Sequence, residues 1–295
     1  MHAAQQHVPL KEIRYLGLRA EGEVGHREAA MSVESEWHAL EYDEVSSLQK
    51  WLADRSLAQL TLRGDERVLD VGCGDGKITA EIADRLPTGS ILGIDRSHDM
   101  IDYARKHNPR ANLDFAVCGA CEMAFPAEFD LAVSFNTLHW VHEQETALCA
   151  LHDSLKAGGA AFLQMVGLGT RKSLEHVISE TCDGARWAEY FVGFHQPYVH
   201  FAPQRYTEMA TACGFTVQSV PLVVCKWDFK TRDAFVKWAE GTFSDWTSQL
   251  PEALRDAFIA DVLDAYAKLR SDSSDPPNLF VFYQMMANLR RSAGR

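Results

Sequence analysis

The stretch Asp70-Val71-Gly72-Cys73-Gly74-Asp75-Gly76 carries the strongest chemical signal in the chain. Glycines at alternate positions let the backbone turn sharply and let a ligand approach main-chain N–H groups, and a helix starting there would add its own unpaired donors. Such a turn between a strand and a helix cradles nucleotide-like ligands. The spacing is GxGxG rather than the GxGxxG of dinucleotide turns, and Asp70 stands two positions ahead of the first glycine. A carboxylate there is awkward beside a pyrophosphate and suits a ligand bearing an ammonium group. Asp95, 25 residues further on, is placed to accept hydrogen bonds from both hydroxyls of a ribose. His139, in Asn136-Thr137-Leu138-His139-Trp140, stands just past another strand and is the natural group to take a proton from a hydroxyl or amine acceptor. Structural duties compete at each position: Asp70 as a helix cap, His139 as an imidazole bonded to backbone, Trp140 as packing. Cys118-Gly119-Ala120-Cys121 is a CxxC without a second pair, and His195 and His200 have no ligand spacing, so no metal is expected.

These residues need a frame. Strand-like and helix-like stretches alternate from Arg67 onward, the pattern of βαβ units on a parallel sheet. Strands are expected at Arg67–Val71, Ser90–Ile94, Leu113–Val117, Phe129–Phe135, Ala160–Val166, Phe215–Cys225 and near Phe280–Ala287, seven in all. Helices are expected over Lys77–Leu86, Ser97–His107 with Ser97 as N-cap, Glu143–Leu155 ended by Gly158 and Gly159, Tyr206–Cys213 and Pro251–Arg270. The fold class is therefore α/β, with a doubly wound, mostly parallel seven-stranded sheet. Right-handed crossovers put the ligand crevice at the strands' C-terminal ends. Residues 1–31 read as an N-terminal extension, and residues 32–166 as the ligand-binding α/β core with its leading N-terminal helices. Residues 167–203 and 226–276 read as cap insertions over the crevice, with 204–225 and 277–295 closing the sheet. The first insertion is rich in aromatics and His, so Trp187, Tyr190 and His195 are candidates to line an acceptor pocket, with Arg186 or Arg205 pairing with an acid.

Composition bounds the partners. A net charge of −12 argues against a nucleic-acid partner, because affinity for a polyanion comes mainly from Lys and Arg. No apolar run is long enough to cross a bilayer and no signal-peptide core is seen, so a cytoplasmic location without membrane contact is expected. Seven cysteines without framework spacing predict reduced thiols and no disulfide. A monomer or homodimer is expected.

Taken together, VLDVGCGDG, GIDRSHDMIDYA, FDLAVSFNTLHWV and LKAGGAAF resemble the class I S-adenosylmethionine (SAM)-dependent methyltransferases. Within them the chain is most similar to the trans-aconitate and juvenile hormone acid methyltransferase group. The resemblance implies a Rossmann-like SAM-binding fold with a helical cap, SAM as cofactor and a small-molecule acceptor. It implies that Gly72 and Gly74 line the methionine part, that Asp95 holds the ribose, that Arg96 flanks the adenine and that Asn136 borders the methionyl end. Cys73, Met100, Cys121 and Glu122 complete the implied cofactor set, while Tyr42 and Gln49 match the group's Tyr/Gln pattern, Gln49 on the cofactor side and Tyr42, with His139 and Trp140, on the acceptor side. The segment after the third strand commonly reads Gly-Asp-Ala-Glu in this family; here it reads Gly119-Ala120-Cys121-Glu122, which removes an adenine contact. The expected function is methyl transfer to a small molecule, foremost to a carboxylate oxygen. An O-, N- or C-directed enzyme on another metabolite stays open, as does a SAM-binding protein that transfers no methyl group.

Overall fold

The structure, a computed structural model, describes residues 47–269 and 275–293 apart from a few side chains of the first helix. The expectations for residues 1–31 and for Tyr42 lie outside the described residues, as does the Gln49 side chain.

The chain runs α1 (Ser47–Leu57), β1 (Arg67–Val71), α2 (Lys77–Ala83), β2 (Ser90–Asp95), α3 (His98–His107), β3 (Leu113–Val117) and β4 (Phe129–Phe135). A short 3-10 helix, Leu138–Trp140, leads to α4 (Gln144–Ser154) and β5 (Leu155–Val166). Then come α5 (Leu174–Cys182), a second 3-10 helix (Ala188–Phe191), α6 (Pro203–Ala212), β6 (Phe215–Ser219) and β7 (Leu222–Asp228). The chain ends in α7 (Arg232–Thr242), α8 (Ser244–Thr247), α9 (Glu252–Lys268) and β8 (Leu279–Arg291). Local chemistry explains the clearest boundaries. Ser97 caps α3 by accepting from the Met100 N–H, and Arg105, Lys106 and His107 face the negative end of the same helix.

The sheet order is β3-β2-β1-β4-β5-β8-β6, with β7 also pairing β8. β1 to β5 are parallel, and β8 runs antiparallel to β5, β6 and β7. The sheet is doubly wound and mostly parallel as expected, but eight strands form it among the described residues. The expected single strand Phe215–Cys225 is two, because Pro221 has no N–H for the ladder and interrupts it. The last strand, 13 residues long, is long enough to pair with both halves: β7 along Leu279–Met285 and β6 along Asn288–Arg291. A second correction concerns Gly158 and Gly159, which do not end a helix; α4 stops at Ser154 and both glycines lie within β5, beside a register shift against β4.

Two faces of the sheet pack separate clusters of buried residues. One joins Leu69, Phe129, Leu163 and Tyr206, and the other Val68, Ile82, Ile101 and Phe162. A third cluster lies in the segments expected to form the cap. It gathers Ile178, Trp187, Phe235, Trp238, Phe243, Trp246, Phe258 and Val262 from the inserted segments onto Phe280 and Phe282 of β8. Leu48 and Leu52 of α1 are buried in that third cluster, so the leading helix packs with the cap.

The sulfur chemistry overturns an expectation. Cys149 of α4 and Cys213 after α6 form a disulfide, 64 residues apart in sequence. Only the packing of the two helices brings the sulfurs together, so spacing in the chain held no sign of it.

Candidate cofactor and acceptor site

β1 delivers the chain to the glycine turn at the centre of the sheet, between β2 and β4. Gly72 and Gly74 adopt φ of 76° and 53°, in the left-handed region, and the N–H groups of Gly72 and Cys73 both donate to the Ile94 carbonyl. A Cβ at Gly72 would lie 2.1 Å from Thr137, whereas one at Gly74 would meet nothing within 4 Å. The turn is thus closed on the β4 side and open above Gly74, the shape that admits a ligand against its backbone.

Asp95, at the end of β2, ties the two loops of the crevice. Its oxygens accept from the Gly74 N–H at 3.0 Å and from the Ser97 N–H at 2.9 Å. Each carboxylate oxygen has two lone pairs, so one acceptor site per oxygen remains, which suits a pair of ribose hydroxyls. Burial raises the Asp95 pKa, and the two N–H donors oppose that rise.

Asp70 is placed differently from the expectation. Its carboxyl is 2 % exposed, lies beneath the turn and accepts from the Thr79 hydroxyl at 2.7 Å. Burial pushes its pKa up to about 7, with Asp95 adding to the rise and Thr79 opposing it. An inward carboxyl in that state braces the turn against α2. Cys73 is also buried, and desolvation beside Asp70 and Asp95 keeps its thiol protonated. Arg96 is exposed and Met100 is buried in α3.

After β3, the Gly119 N–H donates to Glu122, which is exposed, and the thiols of Cys118 and Cys121 face the Gly119 and Glu143 carbonyls. Among the described residues, no three His, Cys, Asp or Glu side chains are grouped to hold a metal ion.

The end of β4 is held by groups that the sequence did not single out. Ser134 donates to the Val71 carbonyl and Thr137 to the Gly72 carbonyl, locking β4 to the turn. Asn136 adopts φ of 54°, a left-handed conformation that asparagine tolerates better than most residues. Its Oδ1 accepts from the Gln284 amide at 3.0 Å. Gln284 is buried in β8, and its own Oε1 has no partner among the described residues. A lone Gln in an apolar strand was the available hint.

His139 is buried in the 3-10 helix that follows. Burial, with His200 nearby, lowers its pKa to about 3. An imidazole so held is neutral at physiological pH and is a weak proton acceptor, which disfavours the base role. Its carbonyl accepts from the Val199 N–H, tying the cap to β4. Gln144 braces the same turn by donating to the Leu138 and Val141 carbonyls. Trp140 is half-buried and meets Trp246 of the cap edge-on, with ring centroids 6.4 Å apart.

Trp187 is buried inside the cap against Phe258 and donates to Asp261, a packing role. Tyr190 packs beside it, half-buried, and His195 is exposed. Arg186 pairs with Asp261 and Arg205 with Glu145 at the surface. A groove of about 790 Å³ runs along α4 and Met123–Pro126, and it includes none of the glycine-turn residues.

Residues 68–159 match a family profile described as a methyltransferase domain. The chain is 31% identical over 238 residues to trans-aconitate 2-methyltransferase of Streptomyces avermitilis, covering 78% of this chain and 87% of that one. It is 28% identical over 240 residues to juvenile hormone acid O-methyltransferase of Bombyx mori, covering 78% and 86%. Among solved structures, phosphoethanolamine N-methyltransferase 2 of Haemonchus contortus, in complex with S-adenosylhomocysteine, aligns with a TM-score of 0.53 at 18% identity. That alignment spans 86% of this chain and 57% of the other.

Proposed function

The chain belongs to the class I SAM-dependent methyltransferases, in the group of the trans-aconitate and juvenile hormone acid enzymes, and from that membership we propose that it methylates the carboxylate of a small, largely apolar acid. One observation carries the choice of a carboxylate beside the relatives' names: the imidazole nearest the end of β4 is a buried, weakly basic His139. A carboxylic acid of ordinary pKa, near 4, is already ionised at neutral pH and needs no base. Hydroxyl and amine acceptors would need one. The apolar character of the acid is supported by Trp140, Trp246 and Tyr198, which face one another between β4 and the cap, and by the engagement of Arg186 and Arg205 with Asp261 and Glu145.

Bound SAM supplies an activated methyl group. The protein's part is alignment and exclusion of water. In this reading the backbone of Gly72 and Gly74 receives the methionine part and Asp95 accepts from the ribose hydroxyls. Asn136, oriented by Gln284, sets the methionyl end, and Trp140 forms the wall behind which the acceptor carboxylate is placed. Gln49 and Tyr42 remain candidates to complete the site from the N-terminal side, and Arg96, Met100, Cys121 and Glu122 to border the adenine.

The test is incubation of purified protein with methyl-labelled SAM and straight-chain monocarboxylic acids, followed by mild alkali. Volatile labelled methanol is expected, because alkali cleaves a methyl ester. Label that stays on an alkali-stable product would move the acceptor atom to a hydroxyl, nitrogen or carbon and overturn the reading.

A further inference from the structure

Two histidines and a glutamate that the transfer does not use gather at the inner edge of the cap, with the Glu175 carboxylate near enough to act electrostatically on His200 and Tyr198. The His200 ring lies 4.5 Å from that of Tyr198, 6.2 Å from that of His139 and 6.5 Å from that of His176. Both ring nitrogens of His200 are buried and have no hydrogen-bond partner among the described residues. The same holds for Oε2 of Glu175 and for Nδ1 of His139. His176, by contrast, has its Nδ1 against the Ser173 hydroxyl at 2.9 Å. Buried polar groups are nearly always paired in folded proteins, so four orphaned atoms in one neighbourhood call for a ligand. They belong to three segments around the acceptor side: the 3-10 helix after β4, the first turn of α5 and the loop at Tyr198–His200. The Val199 N–H to His139 carbonyl bond holds the first and last together.

We propose that His200 and Glu175 form a second acceptor subsite, which binds an uncharged hydroxyl group distant from the carboxylate that is methylated. A hydroxyl donates one hydrogen bond and accepts others. Donating to Glu175 and accepting from the His200 N–H, it would satisfy one orphan on each side. A second carboxylate fits poorly, since it would face Glu175 in a site of low dielectric where like charges repel. The acceptor class is therefore a hydroxylated monocarboxylic acid with an apolar skeleton. This rests on the carboxylate reading above.

The experiment uses a ladder of chain lengths from hexanoic to dodecanoic acid, each as the plain acid, the ω-hydroxy acid and the α,ω-diacid. Transfer is measured with SAM, and binding is measured by calorimetry on the full chain loaded with S-adenosylhomocysteine. At the best chain length the hydroxy acid is expected to exceed the plain acid roughly tenfold in kcat/KM and in affinity, the worth of about one hydrogen bond to a charged group, with the diacid below both. His200→Leu should bring the ratio of hydroxy to plain acid near one, His200→Gln should keep part of it, and Glu175→Gln should raise the diacid relative to the others. If His200→Leu fails to fold, the Glu175→Gln ratio decides. Ratios unchanged in all variants would overturn the subsite while leaving ester formation intact. Preferential binding of the hydroxy acid without ester formation would overturn the carboxylate reading and leave the subsite standing. Acids that neither bind nor react would overturn both.

Discussion

At the scale of single residues, the carboxyl of Asp95 does two jobs, bracing Gly74 and Ser97 and keeping acceptor sites for the ribose. Asp95→Ala should weaken SAM binding by about 1.5–3 kcal/mol, and titration calorimetry would check it; unchanged affinity would mean that the ribose lies elsewhere. Gln284 is the less visible partner, and its effect passes through Asn136. Two buried titrating groups set a pH signature. His139, held at about 3, leaves the proton to the unfolded chain on acidification, so its contribution falls as pH drops below its ordinary value near 6.5. Asp70, held at about 7, binds its proton in the folded chain first and acts in the opposite sense over much of that window. The useful measurement is a difference. Relative to His139→Gln, the wild-type chain should lose about 2 kcal/mol of stability between pH 7 and pH 5 in denaturant titrations. Parallel curves would mean that His139 titrates normally.

At the scale of elements, the glycine turn and the disulfide make separate demands. Gly72→Ala combines a left-handed φ with a Cβ 2.1 Å from Thr137 and should cost about 3 kcal/mol or more. Gly74→Ala has open space and only the backbone cost, about 1–2 kcal/mol. Thermal melts of both, and of Gly72→Ala with Thr137→Ala, separate clash from conformation: the second change should restore part of the loss in the first. The Cys149–Cys213 bond staples α4 to the end of α6, and its reduction should lower stability by about 2–4 kcal/mol. Thiol titration of the denatured chain should count five thiols before reduction, the free cysteines being 73, 118, 121, 182 and 225. Seven before reduction would show that the bond is absent.

Across the whole molecule, β8 connects what would otherwise be two bodies. Phe280 and Phe282 are buried in the cap cluster, while Met285, Ala287 and Leu289 of the same strand are buried in a sheet cluster. Local melting of the cap would expose one half of a strand whose other half is paired to β5 and β6, so cap and sheet should unfold together. Calorimetry should show a single transition, and Phe258→Ala, a truncation in the middle of the cap cluster, should lower it as a unit by about 3–5 kcal/mol. Two resolved transitions, with only one moved by the variant, would show the cap to be an independent unit.

The glycine turn, Asp95, the cap at Ser97 and the strands β1, β3 and β4 were legible in the chain because each is written in consecutive residues, where alternation, glycine spacing and capping act over a few positions. The resemblance added the identity of the cofactor. The inward turn of Asp70, the burial of His139, the engagement of Arg186 and Arg205, the disulfide and the Asn136–Gln284 bond were decided only by the tertiary structure. Each depends on which surface of one element meets another far away in sequence, and neither residue type nor local spacing encodes that meeting. Trp187 and His195 show the same limit from the other side, for an aromatic in a cap insertion has the same local pattern whether it packs inward, faces solvent or lines a pocket.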